Sequence, residues 1–160
     1  MSGAKFIQAD EQRMFEDGDD RVRILVSGEQ TDGAYSILEW TVAPFPVEAL
    51  TSFGPHAHGK YEETFYMLDG KLDFLLEETV LSMSTGDTII VPANTRHGYV
   101  NRSGQRARLM VTFRPAGMEA LFFRHRTDQT SPPSLESFLA EAKWDHASEY
   151  EDHPITTAAG

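Results

Sequence analysis

Three of the six histidines lie in two short stretches whose residue types could bind a metal ion. His56 and His58 are separated by one residue, so in an extended strand both imidazoles project from the same face. A carboxylate of the nearby Glu62-Glu63 pair could join them from the next strand. His97, from a more distant strand, would complete a set of three nitrogen ligands and one oxygen ligand.

This mixed donor set indicates which metal the site would bind. Imidazole and carboxylate together suit one divalent transition metal (Fe, Mn, Ni, Cu or Zn) and disfavour Ca and Mg, which prefer oxygen ligands. Four protein ligands on an octahedral ion would leave two adjacent positions for water, dioxygen or a chelating substrate. The residues therefore predict a metal centre that can also bind a small molecule.

A β-rich segment in the middle of the chain would position these side chains. Asp32-Gly33, a common hairpin turn pair, separates the first two strand candidates. All candidates are short, rich in β-branched and aromatic residues, and bounded by Gly, Pro, Asn or Asp: 21–27, 34–42, 64–68, 71–76, 88–91, 98–101 and 107–113. This spacing predicts an all-β sandwich or barrel rather than alternating strands and helices.

The C-terminal part of the chain has a different pattern. After Pro132-Pro133, apolar residues at i, i+3, i+4 and i+7 form one stripe: Leu135, Phe138, Leu139 and Ala142. Ser131 or Ser134 could cap this short helix, which we expect to pack on the outside of the barrel, with a lid or a dimer contact as alternatives. The expected organisation is a lead-in over 1–20, a barrel over 21–123 and a helical, acidic tail over 124–160.

Composition excludes several classes of protein. The 160 residues suffice for one domain. The fractions of hydrophobic residues (40%) and charged residues (24%) are ordinary for a globular protein. The formal charge of −11 disfavours nucleic acid and anionic membranes as partners, and the absence of cysteine excludes disulfides and thiolate sites. The polar N-terminus lacks the apolar core of a signal peptide and no apolar run is long enough to span a bilayer, so we expect a cytoplasmic protein.

Two longer motifs around the histidines resemble those of the cupin family. The first family motif is His-x-His, three or four residues, Glu, six residues and Gly, and the matching residues here are His56, His58, Glu63 and Gly70. The second is Gly, five residues, Pro, x, Gly, two residues, His, three residues and Asn, and here the residues are Gly86, Pro92, Asn94, His97 and Asn101. Each motif alone is weak, but the combination is specific. From about Arg21 to Phe123 the chain is similar to small quercetin-dioxygenase-like cupins.

The chain departs from the family motifs at two positions. Leu50 stands where a Gly usually opens the first motif, so we expect the strand to bend instead at Gly54-Pro55. Asn94 replaces the Gly of the second motif. Asn tolerates the left-handed backbone conformation that a turn demands, so this second change is mild.

The resemblance assigns a role to each candidate residue. It implies four metal ligands: His56, His58, Glu63 and His97. Neighbouring residues of a strand face opposite sides, so only one of Glu62 and Glu63 can face the interior. The spacing of the family motif selects Glu63, and Glu62 stays as an alternative. Three side chains on the faces of these ligands would line the substrate pocket: Phe65, Met67 and Tyr99. The remaining histidines lie in polar stretches and are expected at the surface: His125, His146 and His153.

The resemblance also implies a fold and an activity. The fold would be a single double-stranded β-helix (jelly roll) with a short C-terminal helix, in a protein that forms a homodimer. The activity would be that of a metal-dependent dioxygenase of the flavonol (quercetin) 2,3-dioxygenase type on an aromatic or enol small molecule, with Glu63 as ligand and catalytic general base. The alternatives are a metal-dependent isomerase or polyketide-type cyclase, which needs no dioxygen, and a non-catalytic cupin that binds a small molecule.

Overall fold

Ten β-strands form most of the part of the chain that the computed structural model describes, residues 3–17, 20–44 and 53–119. They are β1 (Met14–Asp17), β2 (Asp20–Val26), β3 (Ser36–Val42), β4 (Phe53–His56), β5 (Glu62–Asp69), β6 (Lys71–Leu76), β7 (Thr79–Ser84), β8 (Thr88–Val91), β9 (His97–Val100) and β10 (Ala107–Arg114). Two short 3-10 helices, Ala9–Glu11 and Gly28–Thr31, are the only helices in these residues.

The strands form two antiparallel sheets. One sheet has six strands in the order β1-β2-β3-β10-β5-β8, and the other has four in the order β4-β9-β6-β7. Some neighbouring strands are consecutive in the sequence, as β1, β2 and β3 are, whereas others come from distant parts of it, as β3 and β10 do. The two sheets form the double-stranded β-helix that the resemblance to cupins implies.

Alternation of side chains places the core between the sheets. In β3 and β10 every second residue is buried, which is the pattern of strands with one face toward a core. The core combines aliphatic and aromatic residues from both sheets, and its most deeply buried large members are Phe74, Leu38, Met67, Leu72 and Leu109. This packing holds the strands that carry the histidines and the glutamate in fixed positions.

The predicted hairpin between β2 and β3 is present. Asp32 has φ 53° and Gly33 has φ 81°, both in the left-handed region that Asp tolerates and Gly adopts freely. Gly28–Thr31 forms a 3-10 turn just before this pair, so the connection is longer than a two-residue hairpin loop. β2 and β3 then pair antiparallel, with Val22 opposite Trp40.

Two strands were not predicted from the sequence. β1 lies in the expected lead-in and pairs with β2, where Arg21 forms an ion pair with Glu16 at 3.2 Å. β7 pairs with β6, and its residues do not alternate, since Val80 and Leu81 are both exposed. Neither strand has the apolar alternation that identifies a half-buried strand, so each depends on pairing with a stronger neighbour.

Several predictions fall outside the described residues. These are the apolar stripe over 135–142, the three surface histidines, the barrel end at 120–123 and the departure at Leu50. The predicted bend at Gly54-Pro55 coincides with a register shift in the β4–β9 pairing between Phe53 and His56. No helix among the described residues has the length and apolar character that a membrane crossing requires.

Candidate metal centre

Four buried side chains from three strands and one adjoining loop meet inside the barrel. They are His56, His58, Glu63 and His97, and each offers a ligand atom within 4.8 Å of the others. Each residue is at most 8% exposed. The structure therefore brings together the whole set that the sequence motifs single out.

Strand pairing accounts for this convergence. β4 and β9 pair antiparallel with His56 directly opposite His97, and their imidazole centroids lie 4.4 Å apart. β4 ends at His56, so the prediction that one strand carries both His56 and His58 is wrong in this detail. Instead, the backbone amide of Asn94 donates to the carbonyl of His58 at 2.8 Å. Asn94 has φ 64°, the left-handed conformation expected for it.

Glu63 and its neighbour Glu62 face opposite sides of β5. Glu63 is 2% exposed and points into the cluster. The Glu62 carboxylate lies on the outer side, where it forms an ion pair with Arg114 at 3.6 Å. The alternation of the strand therefore brings Glu63, and not Glu62, to the three histidines.

The carboxylate of Glu63 connects two of the imidazoles. Its Oε1 lies 3.0 Å from Nε2 of His58, and its Oε2 lies 3.2 Å from Nε2 of His97. On the other side of the His97 ring, Nδ1 lies 2.9 Å from the carbonyl oxygen of Thr95. A carbonyl only accepts hydrogen bonds, so Nδ1 carries the proton and Nε2 is the atom that can bind a metal.

The pKa values of Glu63 and His97 shift in opposite directions. Burial alone would raise the pKa of the Glu63 carboxyl, but the charge of His97 and the hydrogen bonds with His58 and His97 outweigh it and hold that pKa well below its usual range. Burial alone would lower the pKa of His97, but the Glu63 charge and hydrogen bond, with the Thr95 carbonyl, raise it. Both shifts favour the charged forms of the two side chains.

These shifts predict how the stability gained from a metal depends on pH. The raised pKa of His97 stabilises the metal-free protein below about pH 6.5, and this contribution is lost as the pH rises through the folded-state pKa. The lowered pKa of Glu63 contributes stability at every pH above its ordinary value of 4.5. A metal must displace the proton on Nε2 of His97, so metal binding strengthens as the pH rises.

We therefore expect added Ni²⁺ or Zn²⁺ to raise the melting temperature more at pH 8.5 than at pH 6. Thermal unfolding of metal-stripped and metal-loaded protein across this range measures the difference. The same series on Glu63→Gln, which lacks the negative charge, should show a weaker pH dependence. An equal metal-induced shift at pH 6 and pH 8.5 in the unmodified protein would contradict the prediction.

Aromatic rings surround the cluster. Phe74 lies nearly parallel to His97, with an interplanar angle of 11° and centroids 6.3 Å apart. Phe65 lies 5.9 Å from His97, and Tyr61 meets His58 edge-on at 6.2 Å. These rings limit the access of water to the buried side chains, which strengthens every charge interaction among them.

The three residues predicted for the substrate pocket occupy different positions. Phe65 borders His97 directly. Tyr99 lies deeper, where its ring packs edge-on against Trp40 at 6.4 Å. Burial raises the pKa of its hydroxyl well above 10, and the nearby charges of Asp20 and Glu63 raise that pKa by a smaller amount. Met67 is fully buried in the hydrophobic core. Phe65 therefore borders the cluster, whereas Met67 belongs to the core.

Sequence reasoning missed several residues around the site. Phe74 is in a predicted strand, but its stacking against His97 depends on pairing between β6 and β9, which the sequence did not indicate. The contact of Thr95 is made by its backbone, which carries no sequence signal. Tyr61, which the motifs do not include, lies between His58 and Glu63, is buried and borders His58.

The donor set fits a transition metal. Metal bonds to His nitrogen and carboxylate oxygen are about 2.0–2.2 Å long, so two ligand atoms of one ion lie at most about 4.4 Å apart. The four ligand atoms lie within 4.8 Å of one another, so shifts of a few tenths of an ångström would satisfy this limit. The hydrogen bond from His97 to Thr95 is the kind of support that orients metal-binding imidazoles.

Comparisons with known proteins give consistent similarities. A family model described as "Cupin domain" matches residues 46–113. Quercetin 2,3-dioxygenase of Bacillus subtilis (strain 168) is 30% identical over 114 residues, which cover 67% of this chain and 30% of that relative. The matched region thus spans less than a third of that protein.

Solved structures with a similar fold include two proteins of different kinds. KdgF from Halomonas sp. aligns with a TM-score of 0.59 and 18% identity, covering 72% of this chain and 96% of that one. The polyketide cyclase RemF from Streptomyces resistomycificus aligns with a TM-score of 0.57 and 23% identity, covering 70% of this chain and 80% of that one. At these identities the likeness shows the fold alone.

Proposed function

The chain contains a cupin domain, and from this premise we propose that it is a metal-dependent enzyme, a dioxygenase of the flavonol 2,3-dioxygenase type that acts on an aromatic or enol small molecule. The observation that carries the proposal is the buried cluster of three imidazoles and one carboxylate. The similarity to a quercetin 2,3-dioxygenase supports the choice of reaction, although it extends over only part of that protein.

The three histidines and Glu63 would hold one divalent transition metal (Fe, Mn, Ni, Cu or Zn) through imidazole nitrogens and a carboxylate oxygen. When bound, such a metal acts as a Lewis acid that lowers the pKa of a coordinated hydroxyl or enol. Thr95 would keep His97 in the tautomer that exposes Nε2. The aromatic rings around the cluster favour a substrate that is itself apolar and planar.

Glu63 is also the group placed to receive the substrate's proton. The low pKa of its carboxyl makes Glu63 a weak base in the metal-free protein, where it serves best as a ligand. A carboxylate has two oxygen atoms, so one would serve as the metal ligand while the other accepts the proton. Proton transfer to Glu63 is therefore proposed for the assembled site.

Metal analysis and oxygen uptake test this proposal together. Protein purified without chelators should contain close to one equivalent of Fe, Mn, Ni or Cu by mass spectrometry, and quercetin should make it consume dioxygen. Glu63→Ala should abolish the uptake. Uptake that continues after the metal has been removed would contradict the proposal, and so would a metal-loaded protein that leaves dioxygen untouched with flavonols and other enols.

A second candidate is a metal-dependent isomerase or polyketide-type cyclase. The structural similarity to a polyketide cyclase favours it, because it shows that this fold also occurs in a protein of that activity. Such an enzyme would work without dioxygen and with Zn²⁺. Product formed anaerobically by the zinc-loaded protein would select this candidate, whereas ligand affinity that survives His97→Ala would select a non-catalytic binding protein.

We further propose that the enzyme works in the cytoplasm as a homodimer, with the barrel over residues 21–123, and without nucleic acid or membrane as partners. The negative charge of −11 supports the last point. Light scattering during size-exclusion chromatography tests the dimer, for which a mass near 36 kDa, twice that of the chain, is expected. A mass near 17.9 kDa would exclude it.

A further inference from the structure

The hydroxyl of Ser36 is buried and has no hydrogen-bond partner among the described residues. Ser36 is 0% exposed, and its Oγ is among the buried polar atoms for which no partner exists there. It begins β3, in which every second residue is buried, and the other buried positions of that strand are apolar: Leu38, Trp40 and Val42. A serine hydroxyl therefore lies on the inner face of a strand whose remaining inner residues are core.

Strand register places this hydroxyl in the same row as the candidate metal centre. Ser36 pairs with Phe113 across β3 and β10, and Phe113 pairs with Glu63 across β10 and β5. All three residues are buried, at 0%, 5% and 2% exposure, so all three side chains face the interior. β3 and β5 are separated by two inter-strand spacings, so the Cα atoms of Ser36 and Glu63 lie about 10 Å apart.

A buried hydroxyl without a partner is unfavourable, and such groups are rare in folded proteins. An alanine at this position would avoid the unmet hydrogen bond with little change in volume. The nearest large neighbour in the row, Phe113, is an aromatic ring that also meets Tyr61 edge-on at 6.4 Å. The surroundings therefore provide apolar contact but no acceptor or donor for the serine.

We propose that Ser36 is a specificity-determining residue, whose hydroxyl bonds a second polar group of a substrate that is held at its other end by the His/Glu cluster. The substrate class is a planar aromatic compound with an enol or hydroxyl group at one end. It carries a further hydroxyl or carbonyl at the other end, far enough away to reach past Phe113 to Ser36. This inference rests on the proposed function, since it assumes that the cluster binds the substrate.

Two flavonols that differ in their outer hydroxyl groups test the inference. 3-Hydroxyflavone has only the hydroxyl and carbonyl that can chelate, whereas quercetin has further hydroxyls on both outer ring systems. Dissociation constants are measured anaerobically on the metal-loaded full chain, so that neither compound is consumed. Ser36→Ala should weaken quercetin binding about tenfold and change 3-hydroxyflavone binding less than twofold. Ser82→Ala, on the exposed face of β7, is the matched control and should change neither.

Unfolding without ligand provides a second measurement. If Ser36 has no partner in the free protein, Ser36→Ala should leave the melting temperature unchanged or raise it. A clear decrease in the melting temperature would mean that the hydroxyl already forms a hydrogen bond with the protein or a fixed water, which would overturn the inference. Equal effects of Ser36→Ala on the two flavonols would also overturn it.

The outcomes separate this inference from the proposed function. If both flavonols bind but no dioxygen is consumed, the oxygenase proposal fails, while the ratio of the two affinities still decides the role of Ser36. If dioxygen is consumed and Ser36→Ala does not discriminate, only the Ser36 inference fails. If neither flavonol binds to the metal-loaded protein, both are overturned.

Discussion

Replacing His97 by alanine is expected to lower the affinity for a divalent transition metal by at least about 100-fold. Changes to residues that merely support a metal ligand cost about 10–100-fold, and this one removes a ligand itself. It also leaves the Glu63 carboxylate buried with one of its two histidine partners missing. Titration calorimetry with Ni²⁺, together with elemental analysis of the purified variant, measures the loss.

The control for His97→Ala is His125→Ala, a histidine that the sequence assigns to the surface. Its metal content and affinity should match those of the unmodified protein. Circular dichroism would establish that the His97 variant is folded, so that a lost site is distinguished from a lost fold. Unchanged metal stoichiometry and affinity in His97→Ala would refute the assignment of the cluster as a metal centre.

Replacing Phe74 by alanine is expected to lower the free energy of unfolding by about 3–5 kcal/mol, the usual cost of removing a fully buried aromatic ring. Phe74 is 0% exposed, and its ring is nearly parallel to both His97 and Tyr99, with angles of 11° and 21°. It also packs against Phe65 at 4.9 Å. The change therefore opens a cavity directly beside the candidate metal centre.

Urea unfolding of the metal-stripped protein measures this effect and keeps it separate from metal binding. Phe6→Ala is the matched control, because the same ring is removed from a position that is 87% exposed. Its free energy of unfolding should stay within about 0.5 kcal/mol of the unmodified value. A loss below about 1 kcal/mol for Phe74→Ala would mean that the core beside His97 is less tightly packed than the structure indicates.

Several features of the site could be predicted from sequence because they depend on local geometry. Neighbouring residues of a strand face opposite sides, so only one of Glu62 and Glu63 can face inward, and the spacing of the cupin motif selects Glu63. The turn before His97 needs a left-handed residue, and Asn94 has that conformation. The residue types of the cluster likewise determine which class of metal would suit it.

The strands that the sequence missed show the limit of such reasoning. β1 and β7 lack clear alternation and are held by pairing with β2 and β6. The β-strand propensity of these two segments is weak, so the free energy that keeps them extended comes from pairing with neighbouring strands. The sequence of one segment alone does not show which strand will pair with it.

The sequence determined the all-β class and the three candidate histidines through residue types and short spacings, and its resemblance to the cupin motifs added Glu63 and hence the side of β5 that faces inward. Only the tertiary structure decided that His56 lies opposite His97, that Phe74 stacks on His97, and that Ser36 shares a row with Glu63. Each of these depends on which distant strands pair and in what register. That choice is made by packing of the whole core, because a shift of one residue would turn every buried side chain of a strand outward.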